Sequence, residues 1–233
     1  MMYPRRRHMN LHTPNSPPLS TPIITQLTPV PSAPNVLPVQ QAPTAPPLGF
    51  PDNALEPALS AQTIRIHYQL FQNYATGFNA ALQETASAKD ESSMQQALRA
   101  SAFQGSGYAL HKLYFAALSP QPSQPGMLTM QAIARQYGGV TAFQNRFFLA
   151  AAAVEGPGWA VLGWHPELHE LQLAALSKHQ DSHIATLMPI LALDMWEHAY
   201  WLDYPAQKAD YWHAWWNLIY WPEVENRLMA AIA

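Results

Sequence analysis

The 233-residue sequence contains no cysteine, which excludes disulfide bonds and thiolate metal sites and leaves the redox compartment open. Charged residues are also scarce, at 12% of the chain. With 12 basic and 15 acidic side chains, the formal net charge of −3 predicts no binding to nucleic acid. No apolar run approaches the roughly 20 residues of a membrane helix, so no membrane partner is predicted.

Acidic residues are missing from the first 51 positions, and this stretch is crowded with proline. Fourteen of the 22 prolines lie within residues 1–57. Because proline breaks helices and cannot donate to a sheet, residues 1–46 are predicted to form a disordered Pro-rich tail. The composition resembles an organellar presequence, but the prolines argue against the amphipathic helix such a sequence needs. Since no apolar segment of a secretory signal follows the basic run at 5–7, a cytoplasmic location is predicted.

Periodic patterns define the rest of the chain. Two long helical patterns lie between residues 58 and 117, and a Pro-rich stretch at 119–126 then stops the second helix. Further on, two shorter helical patterns are followed by three apolar segments spaced like antiparallel strands. The sequence therefore predicts an α+β fold. An N-terminal antiparallel helical hairpin (47–122) precedes an α/β domain with a three-stranded antiparallel sheet (123–233).

The segment Asp194-Met195-Trp196-Glu197-His198-Ala199-Tyr200 carries the strongest functional signal. A short apolar run, interpreted as a buried strand, delivers Asp194 at its end, and His198 follows four residues later. A carboxylate and an imidazole that converge where a strand opens into a loop form half of a metal site. The spacing alone is common by chance. The whole run D-x-W-E-H-A-Y, however, resembles the metal-binding signature of the iron/manganese superoxide dismutases.

Two further histidines, one on each N-terminal helix, should complete such a site. His67 lies on an apolar helical stripe in I-x-I-H-Y, where periodicity alone favours a core histidine, but residues 47–68 resemble the family's N-terminal stretch. His111 faces inward in L-H-x-L-Y-F, which resembles the family's second helix. The resemblance thus implies a metal site of His67, His111, Asp194 and His198. The implied cofactor is manganese, or alternatively iron, with one ion per subunit.

The same resemblance implies roles for the residues around the metal. Gln180 matches the glutamine with which manganese-type members hydrogen-bond the solvent on the metal, while Gly107 leaves space beside it. Tyr74 matches the tyrosine that gates substrate entry and donates a hydrogen bond. Glu197 matches the glutamate that reaches a ligand histidine of the other subunit. A homodimer joined through Glu197 and His198 is therefore expected.

The chain also departs from the family pattern. Phe71 and Trp201 stand where relatives carry a histidine and a tyrosine that are hydrogen-bonded between subunits, so we expect the two aromatic side chains to meet there. Tyr74 follows His67 by seven residues instead of the typical eight. Because one residue rotates an α-helix by about 100°, either a helix irregularity is lost or Tyr74 points in another direction.

The predicted function is the metal-dependent disproportionation of superoxide to oxygen and hydrogen peroxide, with superoxide as the partner molecule. The alternative is a superoxide-dismutase-like metal-binding protein with weak or no dismutase activity, which the changes at Phe71 and Trp201 motivate. Turnover per bound metal separates the two. Histidine pairs spaced four apart at 165/169 and 179/183 fall in strand and loop segments without a suitably spaced carboxylate, so no second metal site is predicted.

Overall fold

A computed structural model describes residues 42–233, so the predicted tail lies outside the described residues except for its last five positions. Within this range no helix combines the length and the hydrophobicity needed to cross a bilayer. The order of elements confirms the predicted α+β fold, with a helical hairpin followed by a part that contains a three-stranded antiparallel sheet. The elements are α1 (Ala61–Ser87), α2 (Glu91–Ala116), α3 (Met127–Tyr137), α4 (Val140–Ala152), β1 (Gly158–His165), β2 (Glu170–Ser177), β3 (Met188–Asp194), a short 3-10 helix (Glu197–Ala199), α5 (Lys208–Trp216) and α6 (Trp221–Ile232).

Side-chain caps begin both helices of the hairpin. The Ser60 hydroxyl accepts a hydrogen bond from the Thr63 amide at 3.2 Å at the start of α1. At the start of α2, Asp90 accepts from the Ser93 amide at 2.8 Å and the Ser93 side chain bonds the Asp90 backbone, which forms a capping box. One stripe of each helix is buried against the other. The buried stripe of α1 contains His67 together with Ile64, Phe71 and Ala75. The buried stripe of α2 contains His111 together with Leu110, Tyr114 and Phe115.

The three strands form a sheet in the order β2-β1-β3, and β1 is antiparallel to both neighbours. Nearly all of β1 is buried, which fits its continuous apolar sequence and its central position. In the register of the sheet, Trp159 of β1 lies opposite Asp194, the last residue of β3. The pairing therefore brings an indole beside a carboxylate predicted to bind metal.

The first described residues run as an extended segment across the hairpin. The Tyr68 hydroxyl donates to the carbonyl of Pro46 at 3.0 Å, and the Tyr108 hydroxyl donates to that of Thr44 at 3.2 Å. Proline has no amide N–H but keeps its carbonyl oxygen, so such a segment can only accept hydrogen bonds at its prolines. Ordered contacts with the hairpin therefore begin a few residues before position 47.

A single arginine ties the hairpin to the sheet. Arg227 of α6 donates from Nη1 to the carbonyl of Leu113 on α2 and to that of Ile190 on β3, both at 3.1 Å. Its Nε lies 3.0 Å from Oε1 of Glu223, and its side chain is only 14% exposed. Since α2 and β3 each carry one predicted metal ligand, this arginine helps to fix the two ligands relative to each other.

Replacement of Arg227 by methionine should keep the apolar stem but leave two carbonyls without their donor. Hydrogen bonds from a charged group contribute about 1.5–3 kcal/mol each, so we expect the loss of two such bonds to lower the free energy of unfolding by about 3–6 kcal/mol. Urea unfolding of the metal-free protein measures this loss. Glu223→Gln is the matched control, because it removes the ion pair to Arg227 and leaves both carbonyl contacts in place. Equal losses in the two variants would contradict the role of the carbonyl contacts.

Candidate metal centre

Four side chains from both parts of the fold converge on one point. His67 comes from α1, His111 from α2, Asp194 from the end of β3 and His198 from the 3-10 helix, and one donor atom of each lies within 4.8 Å of the others. Oδ2 of Asp194 is the common neighbour, at 3.0 Å from Nε2 of His67, 3.6 Å from that of His111 and 3.1 Å from that of His198. The structure therefore brings together all four residues that the sequence analysis selected as ligands.

The cluster contains buried nitrogen atoms without the hydrogen-bond partners that buried polar atoms normally have. His67 and His111 are completely buried, as is Asp194. Nε2 of His67 and Nε2 of His111, which both face the centre, make no hydrogen bond to any residue of the described range 42–233. An unpaired buried polar group costs about 1–3 kcal/mol, a cost that a bound cation would remove. Imidazole nitrogen and carboxylate oxygen are donors that iron and manganese accept, so the residues present fit an ion of this kind.

Hydrogen bonds around the cluster leave the donor atoms free to point inward. Nδ1 of His111 lies 2.7 Å from the carbonyl oxygen of Gly107, which can only accept, so this nitrogen carries the proton. In a neutral ring the lone pair is then on Nε2, which faces the cluster. Likewise, Oδ1 of Asp194 accepts from the Trp196 amide at 2.8 Å, which leaves Oδ2 for the centre.

The protonation states also suit a metal site. Burial lowers the pKa of His67 and lowers that of His111 well below its ordinary value. Burial alone would raise the pKa of the Asp194 carboxyl, but its interactions with His198 and His67 outweigh that effect and lower the pKa. Neutral buried imidazoles beside an ionised carboxylate are the forms that metal binding requires.

A fourth histidine ring, that of His179, lies over the cluster. Its Nε2 lies 2.7 Å from the Tyr74 hydroxyl, its Nδ1 accepts from Nε1 of Trp159 at 3.0 Å, and it stacks on Trp196 at 4.5 Å. We expected Gln180 in this place. Gln180 makes no hydrogen bond to Tyr74, and its Oε1 is buried without a partner among the described residues. The structure thus places the neighbouring residue against Tyr74.

The tight loop after β2 explains why His179, and not Gln180, contacts Tyr74. Ser177 and Asp181 close the loop through two backbone hydrogen bonds of 3.3 and 3.1 Å, and Lys178 adopts a left-handed conformation with φ of 52°. In such a turn no periodic pattern signals which of two adjacent side chains faces inward. In the sequence, His179 stands out only as one half of a histidine pair, and its position beside Gln180 is the one signal of a role at the site.

The contacts of His179 determine the direction of its hydrogen bonds. An indole N–H can only donate, so Nδ1 of His179 must accept from Trp159, and the neutral ring carries its proton on Nε2. His179 therefore donates to the oxygen of Tyr74, whose own proton stays available to another group. Burial lowers the pKa of His179 to about 4 and, with the charge of Asp194, raises that of Tyr74 to about 12. Both groups keep these protons near neutral pH.

The short spacing between His67 and Tyr74 does not turn the tyrosine away from the centre. Helix α1 is a regular α-helix from Ala61 to Ser87. Residues seven apart are about two turns apart on one face, and the Tyr74 ring indeed lies 4.9 Å from that of His111. Of the two possibilities left open by the sequence, the loss of a helix irregularity is therefore the one observed.

Gly107 makes room for a side chain and not for the metal. A Cβ atom added at Gly107 would lie 2.6 Å from Cδ1 of Tyr74, closer than real contacts allow. The missing side chain thus lets Tyr74 lie across α2 near His111. The backbone carbonyl at the same position is the group that holds the His111 ring. This glycine therefore supports the geometry of two site residues at once.

Phe71 and Trp201 do not form the expected contact between subunits. Phe71 is only 1% exposed, because a position four residues after His67 falls on the buried stripe of α1. It packs against Tyr108 and Phe115, both at 5.7 Å between ring centroids, inside the hairpin. Trp201 is 52% exposed at the surface. Since Phe71 has no free face for another subunit, this expectation is wrong.

Both parts of the chain match models of one protein family. The α-hairpin domain of the iron/manganese superoxide dismutases matches residues 44–119, and the C-terminal domain of the same family matches residues 125–227. The "Superoxide dismutase [Fe]" of Pyrobaculum aerophilum is 35% identical over 196 residues, covering 81% of this chain and 93% of the relative. The "Superoxide dismutase [Mn/Fe]" of Aeropyrum pernix is 34% identical over 194 residues, covering 80% and 91%. The "Superoxide dismutase [Fe]" of Methanothermobacter marburgensis is 33% identical over 189 residues, covering 78% and 94%.

The low pKa of His179 allows a test with metal-free protein. Between a pKa of about 4 in the folded chain and the ordinary value of 6.5, the unfolded chain binds more protons. The free energy of unfolding should therefore fall as the pH is lowered through this window. In His179→Gln the slope of the unfolding free energy against pH should be smaller, by the equivalent of up to about one bound proton. Urea unfolding at several pH values measures the slopes, and an unchanged slope in His179→Gln would contradict a neutral buried ring.

Proposed function

This chain belongs to the iron/manganese superoxide dismutase family, and we propose that it disproportionates superoxide to oxygen and hydrogen peroxide. The observation that carries the proposal is the convergence of four donor atoms within 4.8 Å around a fully buried carboxylate. A cluster of this kind in a protein core is costly unless a cation fills it. The change at Phe71 also gives less reason to expect a protein with weak activity, because Phe71 lies inside the hairpin and not at a contact between subunits.

We assign the metal to His67, His111, Asp194 and His198. The ion would supply the redox chemistry, since it can take one electron from a first superoxide and give one to a second. The three imidazoles would hold it as neutral donors, while the ionised carboxylate of Asp194 would offset part of its charge and favour the more oxidised state. Because these four donors come from rigid elements, their geometry changes little when the charge of the centre changes.

For the metal itself, we propose manganese, with iron as the alternative. The polar group above the cluster comes from the loop after β2, while position 107 is a glycine. In the family pattern a glutamine from this loop accompanies manganese, whereas iron-type members carry the glutamine at the position of Gly107. The names of the relatives include both iron and manganese, so similarity does not choose between them. Metal analysis of protein purified from its native host tests the choice.

Tyr74 and His179 are proposed to handle protons. The second half of the reaction adds two protons to the reduced substrate. Since His179 donates to the Tyr74 oxygen, the hydroxyl proton of Tyr74 can point toward a bound anion and be replaced from solvent afterwards. The indoles of Trp159 and Trp196 flank the His179 ring and limit access by water. We thus give His179 the role that was expected of Gln180 and keep Tyr74 as predicted.

We further propose a homodimer through Glu197 and His198. Glu197 is exposed and makes no ion pair or side-chain hydrogen bond with any of residues 42–233. His198 is 16% exposed and directs Nε2 toward Asp194, which leaves Nδ1 for a carboxylate of a second copy. A hydrogen bond from Nδ1 would keep the lone pair on Nε2 for the metal. In a two-fold symmetric dimer this contact occurs twice.

Variants of three site residues separate metal retention from catalysis. His111→Ala removes one of four donors and should lose bound metal. His179→Ala should retain metal but dismute superoxide about 10–100-fold more slowly, the size of effect expected for a group that acts next to a metal centre. Gln180→Ala is the matched control and should change neither. Metal content per subunit and stopped-flow superoxide decay measure both quantities; equal effects of the changes at 179 and 180 would refute the assignment to His179.

Removal of the Glu197 carboxylate should weaken the dimer. Glu197→Ala deletes both symmetric contacts, so the dimer dissociation constant should rise and metal should leave His198 more readily. Sedimentation equilibrium over a dilution series measures the dissociation constant. Glu167→Ala, which removes an exposed carboxylate from the turn between β1 and β2, is the charge-matched control. A dimer of wild-type stability in Glu197→Ala would show that this residue is not part of the interface.

A further inference from the structure

Two buried tyrosine hydroxyls lie near residues of the metal cluster. Tyr211 of α5 and Tyr114 of α2 are both fully buried. The Tyr211 hydroxyl donates to the backbone carbonyl of Asp194 at 3.0 Å. The oxygen atoms of the two tyrosines are 3.4 Å apart. Because the proton of Tyr211 is used on the carbonyl, the Tyr114 hydroxyl must be the donor of this second hydrogen bond.

The pair contacts two of the proposed ligands. Tyr211 holds the main chain of Asp194 at the point where β3 ends. The Tyr114 ring lies 4.8 Å from the ring of His67, and it follows His111 by three residues on the same helix. The two hydroxyls therefore connect α5 to α2 next to two residues of the cluster.

We propose that Tyr211 and Tyr114 are positioning residues of the metal centre. Tyr211 sets the place of the Asp194 main chain, and with it the direction of the carboxylate. Tyr114 acts through Tyr211 and through its contact with His67. Neither side chain touches the reacting atoms. The inference rests on the proposed function only in taking Asp194 and His67 as ligands.

A third tyrosine offers a matched control from the same region. The Tyr204 hydroxyl donates to the carbonyl of Ala58 at 2.6 Å, and its ring lies 6.1 Å from that of Tyr211. Tyr204→Phe and Tyr211→Phe therefore delete the same atom and the same kind of hydrogen bond. The carbonyl released by Tyr204→Phe does not belong to a proposed ligand. A purely structural effect should be similar in the two variants, while an effect on the metal should not.

The first experiment uses the metal-loaded protein and the chelator EDTA. In Tyr211→Phe we expect metal release about tenfold faster than in the wild type, since groups that orient a ligand typically affect metal affinity 10–100-fold. The visible absorption and electron paramagnetic resonance spectra of the bound metal should also shift. Tyr204→Phe should leave the release rate and both spectra unchanged. Equal release rates in the two variants, or a wild-type spectrum for Tyr211→Phe, would overturn the proposal.

A double-mutant cycle tests whether the two tyrosines act together. In Tyr211→Phe the hydroxyl of Tyr114 stays buried and loses the hydrogen-bond partner that it has among the described residues. Removal of this hydroxyl as well should cost nothing more, so Tyr114→Phe/Tyr211→Phe should release metal no faster than Tyr211→Phe. If the two fold-changes multiply, the residues act independently and the pair is refuted.

These measurements do not depend on turnover. If the wild type binds metal but fails to disproportionate superoxide, the proposed function fails, while the release rates and spectra still decide the role of the tyrosines. Conversely, an active enzyme whose Tyr211→Phe variant retains metal as tightly as Tyr204→Phe would contradict only the positioning role of the two tyrosines.

Discussion

The buried carboxylate of Asp194 is the constraint on which the rest of the site depends. An ionised group without exposure to water is costly unless charge and hydrogen bonds compensate it. Here one oxygen accepts from a backbone amide, and the other faces three imidazoles. The compensating groups come from both helices of the hairpin and from the turn after β3. The carboxylate can therefore be stable only when the hairpin, the sheet and the following turn are all in place, and it links the fold to the chemistry.

This dependence explains why the side-chain hydrogen bonds that connect distant elements of the fold lie close to the metal centre. Arg227 connects the carbonyls of α2 and β3, while Tyr211 connects α5 to the main chain at the end of β3. In each case a side chain from the C-terminal helices bonds a carbonyl near a ligand. Apolar packing alone is not directional, whereas these hydrogen bonds have defined lengths and angles. They can hold ligand positions to the tolerance that a metal site needs.

On the opposite side, aromatic rings and one imidazole form the cover of the centre. His179 is held by Trp159, Tyr74 and Trp196, so three residues distant in the sequence determine one ring orientation. Gly107 contributes through the side chain that it lacks, because Tyr74 lies in the space that a Cβ would take. The cover thus depends on packing between elements at least as much as on the chemistry of any single residue.

The amino-acid sequence by itself determined the helical hairpin, the three strands and the identity of the four clustering residues. Those features follow from local periodicity and from a motif, and both can be recognised without knowledge of tertiary contacts. Only the tertiary structure decided that His179 and not Gln180 meets Tyr74, and that Phe71 is buried in the hairpin. The choice at 179 comes from a left-handed turn at Lys178 and from a hydrogen bond across 105 positions, neither of which leaves a periodic trace in the chain. Contacts between distant elements select among side chains that local patterns treat as equivalent.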